Sequence, residues 1–204
     1  MAEIAAETRF QLKRHRILKA AAACFNRKGY SGTSLKDVAR HLGLTDAALY
    51  YYVRNKEELV YHCYLRAAEL GRAALERGRA EGRNGLEQAR LYIRYHVATM
   101  VGEDGPVAIM SEIPSLSAPH REEILEISRR HSRAFEDILT AGIEDGSICC
   151  GDVRMTGNAI MGAINWIPKW FHGDAATAQK VLAEFPDVLA RCLEAPADRA
   201  QEPA

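Results

Sequence analysis

The stretch GTSLKDVARHLGLTDAALYYYV, residues 32–53, leaves its backbone few options. Thr33 or Ser34 can cap a helix, and Asp37 stands three residues after Ser34, close to the spacing of a capping box. Leu35, Val38, Ala39 and Leu42 then form one apolar stripe. Gly43 supplies a left-handed turn, and Leu44 can fold back as the apolar partner of that cap. Thr45 is placed to cap a second helix, whose first turn holds Asp46. Leu49 and Val53, four apart, face inward with Leu35 and Val38, and Tyr52 shares their edge. Successive side chains on a helix diverge by about 100°. Tyr50 and Tyr51 are therefore expected to point away from the core.

Two short helices joined by a few residues around a glycine have the spacing of a helix-turn-helix, in which the second helix reads DNA. Outward tyrosines there would lie where phosphates and base edges approach: a phenol donates to phosphate oxygen, and its ring packs on sugars or a thymine methyl. Charge is consistent with such a partner. The chain is neutral overall, yet residues 1–56 hold 11 basic and 4 acidic residues, a balance of +7 against −7 for the remainder. A basic segment of this kind either meets a polyanion or forms a solvated face.

The rest of the chain also reads as helix, with coarse boundaries at 8–28, 34–41, 45–52, 55–80, 84–102, 106–113, 119–145, 152–171 and 175–194. The first carries Ile17, Leu18, Ala21, Ala22 and Phe25 on one face and ends at Lys28–Gly29. Pro168 and Pro186 are expected to kink the last two helices or to begin new turns. The tail, 196–204, reads as disordered.

The segment ILKAAAACFNRKGYSGTSLKDVARHLGLTDAALYYYVRNKEELV, together with the preceding Arg16, resembles the DNA-binding domain of tetracycline-repressor (TetR) family regulators without a gap over residues 16–60. The likeness includes Gly29–Tyr30 after the first helix, Thr33–Ser34 before the second, the Gly43 turn, and LYYYVRNKEEL in the place of the family's Leu-Tyr-x-x-Phe…Lys-x-x-Leu. Val53 replaces the usual phenylalanine. The resemblance implies an all-α fold: a three-helix DNA-binding domain over 1–56 and a helical effector and dimerisation domain over 57–195. It implies phosphate contacts from Thr33, Ser34, Tyr50 and Lys56, and approach to bases by Thr45, Ala47 and Tyr51. Each threonine and serine has a second reading, as a helix cap alone. Asp46 either accepts from cytosine N4 or serves the helix start. No Arg, Lys, Asn or Gln lies within 45–53, so sequence choice is expected to lean on methyl contacts, Tyr51 and DNA shape.

The second half carries two apolar stripes. Ile160, Ile164 and Ile167 recur along 152–171, and Val181, Leu182, Phe185 and Leu189 along 175–194. Both stripes either face their own core or pair with a second copy in a four-helix homodimer interface. The dimer is the expected reading, because two heads are needed to reach both halves of a palindromic operator. The segment AINWIPKWF resembles tryptophan-bearing segments of TetR regulators that sense acyl-CoA or related lipids. Trp166, Tyr92, His96, Met100, Met110 and Phe135 are the candidates to line a small-molecule pocket.

Other classes fit less well. The chain has no HExxH, GxSxG, P-loop or GxGxxG motif and no nucleophile paired with a base, so neither an enzyme nor a bound cofactor or metal is expected. No apolar run reaches the roughly 18 residues that span a membrane, and the N-terminus lacks a signal-peptide pattern; a cytoplasmic location is expected. The five cysteines show no CxxC spacing, and the adjacent Cys149–Cys150 is either a redox sensor or a loop detail. The overall expectation is a ligand-released repressor on operator DNA. The alternative is a member of the same fold that organises DNA, or binds protein, without a ligand.

Overall fold

The structure, a computed structural model, describes residues 2–102, 110–171 and 174–194, with the side chains of 2–9 and 110–112 left out. Among the described residues the regular structure is entirely helical. The elements are α1 (Ala2–Lys28), α2 (Leu35–His41), α3 (Asp46–Tyr50), α4 (Lys56–Glu81), α5 (Gly85–Val101), α6 (Ala118–Glu144), α7 (Val153–Trp170) and α8 (Ala175–Ala190). Short 3-10 helices occupy Met110–Ser115 and Arg191–Leu193. The tail at 196–204 lies outside the described residues, as does most of the helix expected at 106–113.

The chain forms two compact units: Met1–Ala67 with Glu103–Glu126, and Ala68–Gly102 with Ile127–Ala204. The division thus falls inside α4, past the expected boundary at residue 56, and α6 likewise contributes its first turns to the first unit and its remainder to the second.

In the first unit, local chemistry sets the turns. Gly29, at φ 70°, closes α1, and its N–H donates to Phe25 O at 2.8 Å. Ser34 caps α2 in a full capping box: its hydroxyl accepts from Asp37 N, and its own N–H donates to Asp37 Oδ2. Gly43, at φ 64°, adopts the left-handed conformation, and Leu44 N donates back to Ala39 O at 2.9 Å. Thr45 caps α3 by accepting from Ala48 N. Ile17, Ala21, Phe25, Leu35, Val38, Leu49 and Val53 are buried together with Leu59 and Val60 of α4.

In the second unit α5 packs against α7 and α8. Gly85 permits the close approach of α5 to α6: a Cβ there would sit 2.2 Å from Gly142 Cα. Neither proline ends its helix; α7 runs through Pro168 and α8 through Pro186, both buried. A proline near a helix C-terminus removes only one intrahelical bond, and here its ring adds to the apolar packing.

The core of this unit contains a polar cluster. The Tyr92 hydroxyl lies 2.9 Å from His96 Nδ1, 2.8 Å from His131 Nε2 and 2.8 Å from Met161 Sδ. A phenol has one O–H, so at least one of the two imidazoles must donate its N–H to the phenol oxygen. Burial pushes the His96 imidazole down to about 3, with His131 adding to the effect, and burial lowers His131 as well. Both rings are neutral near pH 7. The unfolded chain accepts protons on these histidines near 6.5, whereas the native core resists them. Their contribution to stability is therefore complete above that pH and is lost progressively below it. Urea unfolding should show a lower midpoint at pH 5.5 than at pH 7.5, a range above the carboxylate titrations. His96→Gln should reduce the difference; an equal midpoint at both pH values would contradict the neutral buried cluster.

Candidate nucleic-acid interface

Leu49 and Val53 are almost completely buried, which turns the intervening residues outward: Tyr50 is 54% and Tyr51 74% exposed. Tyr51 is edge-on to Tyr52 and to Phe10 of α1, whose ring stacks on Tyr52 at 5.0 Å. The phenol of Tyr51 is thus steadied from one side and left open on the other. Thr45 and Ala47 are exposed on the same short helix. Asp46 is exposed in its first turn, while Thr45 provides the cap.

Tyr50 borders an open groove of about 520 Å³. Ser31, Gly32, Ser34 and Lys36 line one side of it, and Arg54, Asn55 and Lys56 the other. Its edge at the start of α2 offers hydroxyls and a lysine, and its edge at the start of α4 an arginine and an amide. This is the chemistry that holds a phosphate backbone without reading bases. Asp37 also faces the groove. Hydrogen bonds from the Ser34 hydroxyl and amide hold its carboxyl below the usual range, and Arg40 Nη1 lies 3.2 Å from it, offsetting its charge. Ser31, Lys36, Arg54 and Asn55 had no individual role in the sequence reading. Only the density of basic residues pointed toward them, since their convergence depends on how α2 and α4 meet.

Two expected phosphate ligands are placed differently. Thr33 is 2% exposed, and the single proton of its hydroxyl is shared between Gly29 O at 2.9 Å and Cys24 O at 3.2 Å. It seals the end of α1 and has no donor left for a phosphate. Lys56 Nζ donates to Tyr30 O at 2.9 Å and Thr33 O at 3.1 Å, and lies 3.9 Å over the Tyr30 ring. It is first a clasp for the loop between α1 and α2. Its charge still borders the groove, and an ammonium keeps a third donor.

In the second unit, Tyr92, His96 and Phe135 do come together, the Tyr92 and Phe135 rings at 4.7 Å, and Met100 is buried on the same helix as Tyr92. His131 and Met161 complete the cluster although the sequence reading did not name them; they come from α6 and α7, far away in the chain. The Met110 side chain lies outside the described residues. Trp166 is 61% exposed and so is corrected from pocket wall to surface. Ile160, Ile164 and Ile167 are at most 1% exposed within the single chain, leaving no surface for a second copy; their expected place in an interface is corrected to the protomer's own core. Val181, Leu182, Phe185 and Leu189 are half-buried.

The clasp role of Lys56 is testable by itself. Lys56→Met keeps the aliphatic stem but removes two charged hydrogen bonds, and should lower stability by roughly 1–3 kcal/mol. The check is thermal or urea unfolding without DNA; an unchanged midpoint would return Lys56 to a purely solvated role.

Comparison with known proteins agrees with this geometry. Residues 17–63 match the family described as bacterial regulatory proteins, tetR family, and residues 71–192 match the tetracyclin repressor-like C-terminal domain. The chain is 27% identical over 162 residues to the fatty acid metabolism regulator protein of Bacillus subtilis (strain 168), covering 78% of this chain and 83% of that one. It is 34% identical to the TetR family transcriptional regulator PfmR of Thermus thermophilus, with a TM-score of 0.74 over 88% of this chain and all (100%) of that one. It is 25% identical to AibR solved with isovaleryl coenzyme A and operator DNA, with a TM-score of 0.70 over 86% of this chain and 97% of that one. A reading head with outward tyrosines, followed by a matching C-terminal domain, places the chain in the TetR family of DNA-binding transcriptional regulators.

Proposed function

We propose that this regulator acts as a homodimer on a palindromic operator and is released by a small hydrophobic or acyl-CoA-like effector, making it a repressor. The observation that carries the reading is the open pair Tyr50 and Tyr51 beside a groove with phosphate-binding chemistry. Ser34, Tyr50, Lys36, Arg54 and the remaining donor of Lys56 hold phosphates. Thr45, Ala47 and Tyr51 meet base edges. The AibR complex with isovaleryl coenzyme A and operator DNA, and the fatty acid regulator, support the effector class. Among the described residues no helix is long and apolar enough to cross a membrane, and a DNA target fits a cytoplasmic protein.

The effector site in this reading is the Tyr92–His96–His131 cluster with Phe135 and Met100. Its neutral imidazoles and phenol suit an uncharged carbonyl or hydroxyl set in an apolar wall. A ligand group that replaces the Tyr92 hydroxyl at His131 acts on α6. The first turn of α6 holds His120, whose Nδ1 is 2.8 Å from Glu57 Oε1, and His120 stacks on Tyr61 at 3.8 Å. Glu57 directly follows Lys56, the clasp of the groove loop. Ligand binding thereby favours an arrangement of α4 in which the two heads no longer match their half-sites, and DNA affinity falls by the difference in ligand affinity for the two arrangements.

The dimer face in this reading is the outer side of α7 and α8. Met155, Ala159, Gly162, Trp166 and Trp170 recur along one exposed side of α7, opposite the buried isoleucines. Trp170 meets Phe185 edge-on at 5.6 Å, and Val181, Phe185 and Val188 edge a shallow depression on α8. A single exposed tryptophan is ordinary; a continuous apolar stripe indicates a partner surface.

Tyr51→Ala should lower affinity for a duplex selected from a random pool by roughly tenfold or more, the loss of about one good contact. Its unfolding midpoint should hardly change. Unchanged DNA binding would remove Tyr51 from the interface. Trp166→Glu should turn the dimer into a folded monomer in sedimentation analysis; a dimer that persists would place the interface elsewhere.

A further inference from the structure

The five cysteines are free thiols in two different settings. Cys24 and Cys63 are buried in the first unit, and burial pushes both thiols up, which makes them unreactive. The other three meet at one corner of the second unit. Cys149 and Cys150 lie in the irregular connection from α6 to α7, and Cys192 lies in the 3-10 helix Arg191–Leu193 that follows α8. Cys149 N–H donates to Leu193 O at 2.9 Å, so the two segments are fastened side by side. Leu193 is completely buried and anchors the C-terminal segment there. Cys192 remains exposed with its thiol donating to Leu189 O at 2.8 Å, and Cys150 is half-buried. The hydrogen bond from Cys149 to Leu193 ties the residue before Cys150 to the residue after Cys192, which sets the two cysteines on neighbouring segments of one corner; partial burial and the charge of Cys150 push the Cys192 thiol up.

We propose that Cys150 and Cys192 form a dithiol that hydrogen peroxide closes, reversibly, into an intrachain disulfide. The Cys150 thiolate attacks one peroxide oxygen: an S–O bond forms, the O–O bond breaks, and hydroxide leaves to take up a proton as water. Cys192 then attacks the Cys150 sulfur of the sulfenic acid. The S–S bond forms, the S–O bond breaks, and the departing hydroxide takes the Cys192 proton as a second water. Two thiols supply the two electrons that reduce the peroxide. Adjacent Cys149 and Cys150 are poorly placed to bridge each other, because neighbouring residues close a disulfide only with backbone strain. The closed loop, about 40 residues long, encloses α7 and α8 and should raise the thermal midpoint. This inference is independent of the DNA and effector reading.

The test uses the reduced full chain, treated with a small excess of hydrogen peroxide, blocked with a thiol alkylating agent and digested without reductant. Mass spectrometry should find a peptide pair joined through Cys150 and Cys192, with Cys24 and Cys63 still alkylated. Dithiothreitol should reverse both the link and the gain in thermal midpoint. Cys149→Ser should keep the link. Cys192→Ser should lose it and leave a Cys150 sulfenic acid that dimedone traps; Cys150→Ser serves as the second check on the pair. A Cys149–Cys150 bridge, a link between two chains, or full alkylation of all five thiols after peroxide would overturn the proposal.

Discussion

The reading head depends on one geometric constraint: Leu49, in a helix of little more than one turn, and Val53, just past its end, must both reach the core. Leu35, Val38, Ile17 and Phe25 are buried in the same unit, and the left-handed Gly43 turn leads into α3. With those two side chains fixed inward, the 100° step of the helix directs Tyr50 and Tyr51 to solvent. No polar interaction is needed to hold them there. Moving α3 by one residue would bury a tyrosine and expose a leucine.

Around that constraint the polar groups divide their work. Thr33 closes α1 with its hydroxyl, Ser34 starts α2, and Thr45 starts α3. Lys56 joins these parts by holding two carbonyls of the loop before α2. Fastening this loop brings serine, lysine, arginine and asparagine side chains to one groove without demanding that any of them build the core. The head can then keep its shape while its surface is spent on a ligand.

The head was legible because its determinants are local. Caps, a left-handed glycine and a short apolar stripe are each written within a few residues, and the chain obeys them nearly residue by residue. Thr33 and Lys56 escaped because a hydroxyl or ammonium near a helix start looks the same whether it faces in or out. In the second unit the difficulty was different. Helix α7 carries two apolar faces, isoleucines on one and tryptophan, methionine and small residues on the other; periodicity finds both and does not rank them. The isoleucines went inward because α5 covers that face. Likewise, Tyr92 and His96 are four apart on one helix and readable as a pair, but His131 and Met161 join them only through the packing of α6 and α7. Helix α4 is one continuous helix shared by both units, and no sequence signal marks where its contacts change from one unit to the other.

The most direct test of the groove and its tyrosines is the salt dependence of binding to a selected duplex. Lysine and arginine on phosphates release condensed counterions, so log affinity should fall linearly with log salt, with a slope near −0.9 for each phosphate neutralised. The account predicts a steep negative slope for the intact protein, and one shallower by about one for Arg54→Gln at the groove edge. Affinity indifferent to salt, or a slope unchanged by Arg54→Gln, would contradict the assignment of this groove to the DNA backbone.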